Sequence, residues 1–239
     1  MLKGMLKYAV LVSLMTSTLV INPVEAATKQ EKQVTTAFTK YKTGMTITEF
    51  AKQRYGKTYK NQLTKKNGRT VLKEKSPKQD TSEQMDFLYY MIYDKKTGDS
   101  KNYMTFFFTV KPKEKVYRLA LKSLDFRGEN PMGVRQSDKQ LKRGKQIKNG
   151  MAEQQLDKVL IGEGLGDWMT WSVADFSHTL SKRDMERMGL GQGKGRGKVY
   201  LFRTNHPNER LRIEMAFDLD KKNYRVSGAE TFSSDQELD

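Results

Sequence analysis

The stretch YKTGMTITEF at residues 41–50 occurs again 106 positions later as IKNGMAEQQL, at residues 147–156. Apolar, lysine, glycine, methionine and apolar residues occupy the same slots in both copies. A second pair keeps the offset, because Tyr117-Arg118 returns as Tyr224-Arg225, 107 positions later. Self-similarity at a constant period is the signature of a repeated structural unit. The sequence therefore predicts two copies of one unit.

Each copy opens with a short helix and continues with strands. Thr46 followed by Glu49 has the spacing of a capping box, which predicts a helix over 46–55 that ends at Gly56, and 152–160 is its counterpart. The hydrophobic period then changes to two, as in strands. Strands are predicted at 70–75, 87–93, 103–110 and 116–124 in the first copy, and at 168–173, 198–203, 209–218 and 224–230 in the second. The predicted fold is α+β, with two tandem repeats that each place short helices before an antiparallel four-stranded sheet.

The remaining segments complete the predicted layout. The order is a signal peptide at 1–26, a first repeat at 27–127 with an N-terminal helix at 28–42, a linker and basic lead-in at 128–146, a second repeat at 147–232 and an acidic tail at 233–239. A helix is predicted at 137–148. An insertion at 174–197 separates the first two strands of the second repeat, and it carries a short helix after Ser181 and then a basic, glycine-rich loop.

Residues 1–26 have the order of charged, apolar and small residues that is typical of a secretory signal peptide. Asn22-Pro23 ends the apolar run where a membrane-spanning helix would continue, although an uncleaved anchor is the alternative. The chain has no cysteine, which excludes disulfides, a thiol nucleophile, thiolate metal ligands and a lipid on cysteine. We expect an exported protein of a Gram-positive bacterium, secreted or held at the cell wall.

The net charge of +16 is concentrated in two clusters, at 52–78 and 135–148. Outside the cell the anionic partners are wall polymers such as teichoic acid, DNA, lipid headgroups and acidic protein surfaces. Solubility alone is the alternative reason for the charge. The candidate anion-binding residues are Lys65, Lys66, Arg69, Lys142, Arg143, Lys194 and Arg196.

Alternation along the strands predicts which side chains face the core. In 116–124, Tyr117, Leu119 and Leu121 are assigned to the core and Arg118, Ala120 and Lys122 to the other face. Phe106 and Phe108 are likewise assigned to the core. Tyrosine and arginine are enriched among binding hot spots. The predicted partner-binding residues on the open face are Tyr89, Tyr93, Tyr103, Phe107, Arg118, Trp168, Arg212 and Arg225. Coverage of this face by the N-terminal helix or by the other repeat is the alternative.

The sequence offers a poor set of catalytic residues. His178 and His206 have no histidine or cysteine neighbour, and the chain contains neither Gly-x-Ser-x-Gly nor Ser-x-x-Lys. The glycine-rich segment 189–197 runs from a helix into a strand, whereas a phosphate loop runs from a strand into a helix. We therefore predict no enzyme activity, no catalytic residue, no metal site and no cofactor. A hydrolase that uses His178 or His206 is the remaining alternative.

The repeated Lys-x-Gly-Met, the short helix and the aromatic-rich sheet, in tandem behind a signal peptide, resemble the fold of the β-lactamase inhibitory protein (BLIP)-like family. The related small outer-membrane assembly lipoproteins contain one such unit, which opens with a Gly-Met-Thr helix start like that of residues 44–46. The resemblance covers 41–126 and 147–232, and it implies a monomer that grips a protein partner on a concave surface formed by two sheets. The chain departs from the inhibitor itself by lacking disulfides, by its positive charge and by the insertion at 174–197.

The expected function is therefore that of a non-catalytic binding protein. Its partner is expected to be an extracellular enzyme, which it would inhibit, or a cell-surface protein. The alternative is a basic surface protein that binds an anionic polymer such as teichoic acid or DNA.

Overall fold

The computed structural model describes residues 35–74, 78–81, 86–93, 102–111, 113–126 and 136–233. The predicted signal peptide, residues 128–135 of the linker and residues 234–239 of the acidic tail lie outside these ranges. In the described part of the chain, no helix is both long enough and apolar enough to span a membrane.

The first described elements form a compact helical and hairpin segment. Helix α1 (Ile47–Tyr55) begins at the predicted capping box, in which the Glu49 amide donates to Thr46 Oγ1 over 3.2 Å and the Thr46 amide donates to Glu49 Oε2 over 2.7 Å. A 3-10 helix (Gly56–Gln62) follows. Strands β1 (Leu63–Lys66) and β2 (Arg69–Leu72) then pair as a hairpin. Its turn places Asn67 and Gly68 at positive φ, which glycine and asparagine tolerate best.

Eight further strands form one antiparallel sheet. They are β3 (Lys78–Thr81), β4 (Asp86–Tyr93), β5 (Asn102–Val110), β6 (Arg118–Phe126), β7 (Thr170–Asp175), β8 (Lys194–Arg203), β9 (Glu209–Asp218) and β10 (Asn223–Ser233). Each strand pairs with its neighbour in the sequence. Helix α2 (Glu153–Val159) lies between β6 and β7 in the chain, and helix α3 (Lys182–Arg187) lies between β7 and β8. The fold is mixed α and β, and mostly strand.

The expected division into two four-stranded sheets is wrong, because β6 pairs directly with β7 and the eight strands form one sheet. The pairing runs from Leu121 opposite Ala174 to Asp125 opposite Thr170. An unpaired strand edge exposes backbone N–H and C=O groups, and the pairing of β6 with β7 satisfies both rows. The predicted strand at 70–75 is also displaced: β2 belongs to the small hairpin sheet, and β3 occupies the edge of the large sheet.

Helices α1 and α2 cover the same face of the large sheet. Phe50 of α1 contacts Phe106 and Phe108 of β5, with ring centroids 4.7 and 5.2 Å apart, and all three side chains are fully buried. Leu156 of α2 packs in a second cluster with residues such as Ile213 of β9. Phe106 and Phe108 therefore lie in the core, as the alternation predicts.

A β-bulge reverses the predicted faces in the second half of β6. The register moves by one residue between Phe107 and Phe108 of β5, so that Leu119 and Ala120 are both buried. An extra residue turns every later side chain to the opposite face. Leu121 therefore lies on the open face, and Lys122, expected there, is buried with 5% of its surface exposed.

Lys122 lies beneath the helical turn at 35–39. Its Nζ donates to the Phe38 carbonyl over 2.8 Å and lies 4.0 Å from the centre of the Phe38 ring. The Phe38 ring also packs on Trp171 of β7, with centroids 5.1 Å apart. Burial, with a smaller contribution from Arg196, lowers the pKa of Lys122 to about 8. The N-terminal segment thus covers the centre of the helix-bearing face.

The predicted helix at 137–148 is absent. The backbone of this segment bonds to neighbouring strands instead: the Ser137 amide donates to the Leu201 carbonyl over 2.9 Å, and the Leu141 amide donates to the Arg203 carbonyl over 3.2 Å. Leu141 also forms an isolated bridge with Leu160. Pairing with β8 therefore overrides the local helical preference.

Candidate binding surface

We call the face of the large sheet opposite α1 and α2 the open face. Cross-strand register places Tyr89, Phe107, Leu121 and Ala174 side by side on it. Phe107 packs on Phe87, with ring centroids 4.8 Å apart, and both rings are half-buried. This row forms an apolar wall that runs from β4 to β7.

A row of small side chains lies directly beside this wall. Thr105, Ser123, Ser172, Gly197 and Ala216 follow one another across the five strands β5 to β9. We call this row the central trough. On β5 and β6 the larger Phe107 and Leu121 flank these small side chains, so the trough is a groove there. On β7 and β8 its neighbours on that side are the small Ala174 and Gly195. The trough crosses the junction between β6 and β7, so it exists only because the strands form one sheet.

The other side of the trough is mostly polar. Asp125, Thr170, Val199 and Glu214 are aligned there, and Thr170 Oγ1 donates to Asp125 Oδ1 over 2.7 Å. Arg212 of β9 pairs with Glu214 at 2.7 Å, and both side chains are partly exposed. The groove therefore has an apolar wall on one side and hydrogen-bonding groups on the other, which suits a large apolar side chain with polar surroundings.

Arg118 and Arg225 make matching contacts with the two copies of the repeated motif. Nη1 of Arg118 donates to the Gly44 carbonyl over 3.0 Å, and Nη1 of Arg225 donates to the Gly150 carbonyl over 2.7 Å. Both glycines have positive φ, at 85° and 82°. Arg225 also pairs with Asp218 at 3.4 Å. These two predicted binding residues therefore use donor groups to hold the structure together.

The insertion closes one end of the open face. Thr179 and Thr109 of β5 are both buried, and their hydroxyl oxygens are 2.6 Å apart. The ring of His178 lies against Gly44, where a Cβ would come within 2.6 Å of it. Leu180 and Met185 form a small apolar cluster of their own. The part of the open face around Thr109 and Gly44 is thus covered.

The remaining predicted partner-binding residues have different positions. Tyr89, Phe107 and Arg212 share the open face, whereas the side chains of Tyr93 and Tyr103 lie outside the described residues. Trp168 is misassigned: its ring packs 4.4 Å from that of Phe126 and belongs to the second core cluster. Trp168 precedes β7, so strand alternation does not apply to it. The sequence did not place Leu121 and Ser123 on the open face, because no sequence signal reveals the bulge that turns β6. Ser172 and Val199 join the same surface only through the pairing of β6 with β7 and of β7 with β8, which the sequence does not show.

The predicted anion-binding residues divide into exposed and engaged side chains. Lys65, Lys66, Lys142, Arg143 and Lys194 are exposed, and Lys194 lies 3.6 Å from Asp175. Arg69 instead forms an ion pair with Asp86. Arg196 is exposed, but it stacks 5.4 Å from the ring of Phe217 on the helix-bearing side of the sheet. Residues 194–197 belong to β8, so the predicted basic glycine loop is limited to 189–193.

The two histidines differ in their surroundings. His178 Nε2 lies 3.4 Å from Asp175, whose carboxylate also accepts hydrogen bonds from Ser177 and lies near Lys194. Burial opposes but does not outweigh these contacts, which lower the pKa of Asp175. His206 lies in the turn between β8 and β9. Within the described ranges, no three His, Asp or Glu side chains are grouped so that they could hold a metal ion.

No family model matches the chain, and no curated protein or solved structure matches it. The resemblance to the BLIP-like family therefore stays a prediction from the repeated motif.

Proposed function

We propose that this chain is an exported, non-catalytic protein that binds a protein partner on the open face of its sheet. The observation that carries the proposal is the central trough of small side chains across β5 to β9, which the apolar wall borders on β5 to β7 and a mostly polar row borders on β6 to β9. Aromatic residues beside well-placed polar groups are typical of binding hot spots. The partner would be an extracellular enzyme, which binding would inhibit, or a cell-surface protein.

We also propose that the chain consists of two copies of one BLIP-like unit. Its support is the matched set of contacts at Gly44 and Gly150, whose amides donate over 2.7 Å to the carbonyls of Leu119 and Val226. The resemblance to the BLIP-like family implies that two tandem units grip a protein partner with both of their sheets. A single sheet that extends across both copies would serve the same purpose in a monomer.

The occupant we propose for the trough is a loop of an acidic protein that carries one large apolar side chain. The small residues of the trough leave room for such a side chain, and Phe107 and Leu121 would pack against it. The net charge of +16 would attract an acidic partner and raise its rate of association. Arg212, at the polar side of the groove, would meet a carboxylate of the loop.

The test is to fill the trough. Ala216 is exposed near the C-terminal end of β9 and is the last residue of the trough, so Ala216→Trp should obstruct this end of the trough while the fold survives. Lys158→Trp, at an exposed position of α2, is the matched control on the opposite side. Immobilised wild-type and variant proteins are exposed at micromolar concentration to culture medium and to serum, and the retained proteins are compared.

The proposal expects a protein that wild type and Lys158→Trp retain and that Ala216→Trp loses, with equal thermal melts for all three chains. Equal retention by Ala216→Trp would place the interaction elsewhere. If wild type retains nothing from either fluid, the protein-binding proposal fails.

A further inference from the structure

A second surface lies away from the trough, on the segment that joins α1, the 3-10 helix and the β1–β2 hairpin. We call residues 52–73 the cationic arm. Its exposed lysines are Lys52, Lys57, Lys60, Lys65, Lys66 and Lys73. The sequence from 50 to 73 contains no Asp or Glu. The arm therefore carries a dense positive charge without acids of its own.

The acids that flank the arm are already engaged. Glu49 caps α1, and the hydrogen bonds from the Thr46 backbone and side chain lower the pKa of its carboxyl. Glu74 accepts a hydrogen bond from the Tyr55 hydroxyl and lies 3.5 Å from Arg54. Of the exposed lysines, Lys52 lies near Glu49 and contributes to the lowered pKa of its carboxyl.

The structure adds charge to the arm from a distant part of the chain. Arg69, in β2, forms an ion pair with Asp86 and donates from Nε to the Glu114 carbonyl over 3.0 Å. This contact holds the turn before β6 against the hairpin. The turn carries the exposed Lys113 and Lys115, whereas Glu114 lies 4.0 Å from Lys111. Arg69 therefore holds Lys113 and Lys115 near the lysines of the arm, while its own guanidinium contacts Asp86.

The shape and composition of the arm indicate the kind of ligand. Lys52 borders a shallow, open depression of about 580 Å³, which Lys42, Glu49 and Arg118 also line. The cations of the arm therefore lie on an open surface and not in a closed pocket. The exposed large apolar side chains of the described residues are Val116, Ile161 and Leu219, and of these the single Val116, next to Lys115 in the adjoining turn, lies near the arm. A peripheral membrane-binding surface would present such side chains for insertion among lipids. Lysines on flexible stems act as point charges, which suits phosphates on a chain.

We propose that the cationic arm binds a linear phosphodiester polymer through its phosphates. The polymer would be a poly(glycerol phosphate) chain of the cell wall or a nucleic acid, and the shared chemistry is a repeated singly charged phosphodiester. The aromatic rings of the arm, Tyr55 and Tyr59, are partly buried against the core, so they do not provide a stacking platform for bases. The affinity therefore depends on the number of phosphates and not on the identity of the bases.

The experiment uses the full chain and two labelled polymers of equal charge, a single-stranded oligonucleotide and a poly(glycerol phosphate) chain. The arm variant combines Lys57→Gln, Lys60→Gln, Lys65→Gln and Lys73→Gln. The control variant removes the same charge from exposed lysines outside both basic clusters, with Lys158→Gln, Lys182→Gln, Lys221→Gln and Lys222→Gln. Fluorescence anisotropy gives the dissociation constant between about 50 and 200 mM salt, the range over which such contacts weaken strongly.

Each lost phosphate contact removes about 0.7 from the slope of log K against log salt on a single strand, so the arm variant should lose about 3. The control should keep the wild-type slope, and the polymer that wild type binds more tightly at about 150 mM salt identifies the source. Equal slopes in the two variants, a dependence on base sequence, or no binding of either polymer would overturn the proposal. Ala216→Trp should bind both polymers normally, so this result is separable from that of the protein-binding proposal.

Discussion

Replacing Lys122 by methionine should change the stability of the protein in a pH-dependent way. The amine is 5% exposed and donates to the Phe38 carbonyl, and no carboxylate among the described residues pairs with it. Burial lowers the pKa of Lys122 from 10.5 to about 8. At 1.36 kcal/mol for each pKa unit, this difference corresponds to a cost of about 3 kcal/mol for keeping the charge in the fold at neutral pH.

The sign follows from where the proton is bound. Between about pH 8 and 10.5 the unfolded chain keeps the Lys122 proton and the folded chain releases it, so the free energy of unfolding of the wild type rises with pH. Below pH 8 both states are charged and the cost is constant. Methionine has a similar length and no charge, so the variant lacks this rise. The advantage of the variant over wild type should therefore shrink by about 2 to 3 kcal/mol between pH 7 and pH 10.

Urea unfolding at several pH values measures this difference directly. Burial raises the pKa of Tyr55 and of Tyr90 to about 12. The contribution of these tyrosines to the pH dependence is the same in both proteins, so it cancels when the wild-type free energy of unfolding is subtracted from that of the variant. Loss of the hydrogen bond to the Phe38 carbonyl lowers the free energy of unfolding of the variant by about 1 kcal/mol at every pH. Lys158→Met, at an exposed site, should show no pH-dependent difference. A difference for Lys122→Met that stays constant from pH 7 to 10 would refute the burial of a strained cation.

Two pairs of variants test the faces and the motif. Phe106→Ala should cost about 3 to 5 kcal/mol in urea unfolding because its ring is fully buried, whereas Phe107→Ala should cost clearly less, and the reverse order would invert the face assignment. Gly44→Ala and Gly150→Ala both place alanine at positive φ, which costs about 1 to 2 kcal/mol. Gly44→Ala should lower the melting temperature further, because its Cβ would meet the His178 ring, while Gly150 has open space. Equal melts for the two alanine variants would contradict this packing.

Local signals account for what the sequence could predict. The capping box of Thr46 and Glu49 is complete within four residues, and α1 begins there in the structure. The alternation of Leu211, Ile213 and Met215 against Arg212 is equally local, and β9 has the predicted bounds. Such features require no knowledge of distant contacts, because the side chains that decide them are neighbours along the chain.

Distant pairing accounts for what the sequence could not predict. The extra residue of the bulge in β6 is Ala120, which lies between the apolar Leu119 and Leu121, so the sequence pattern does not reveal it although it moves Lys122 to the opposite face. The pairing of β6 with β7 joins strands separated by the linker and α2. The central trough depends on both features. For this reason Tyr89 and Phe107 could be placed on the open face from the sequence, whereas Ser123 and Ser172 could not.

Site-specific photo-cross-linking tests the central proposal most directly. A benzophenone side chain is introduced at Ala216, in the trough, and in a second chain at Gln154, an exposed position of α2. Both chains are irradiated with the fluid from which wild type retains a protein. The proposal predicts that the probe at 216 forms a covalent adduct with that protein and that the probe at 154 does not. An adduct at 154 with none at 216 would contradict binding on the open face.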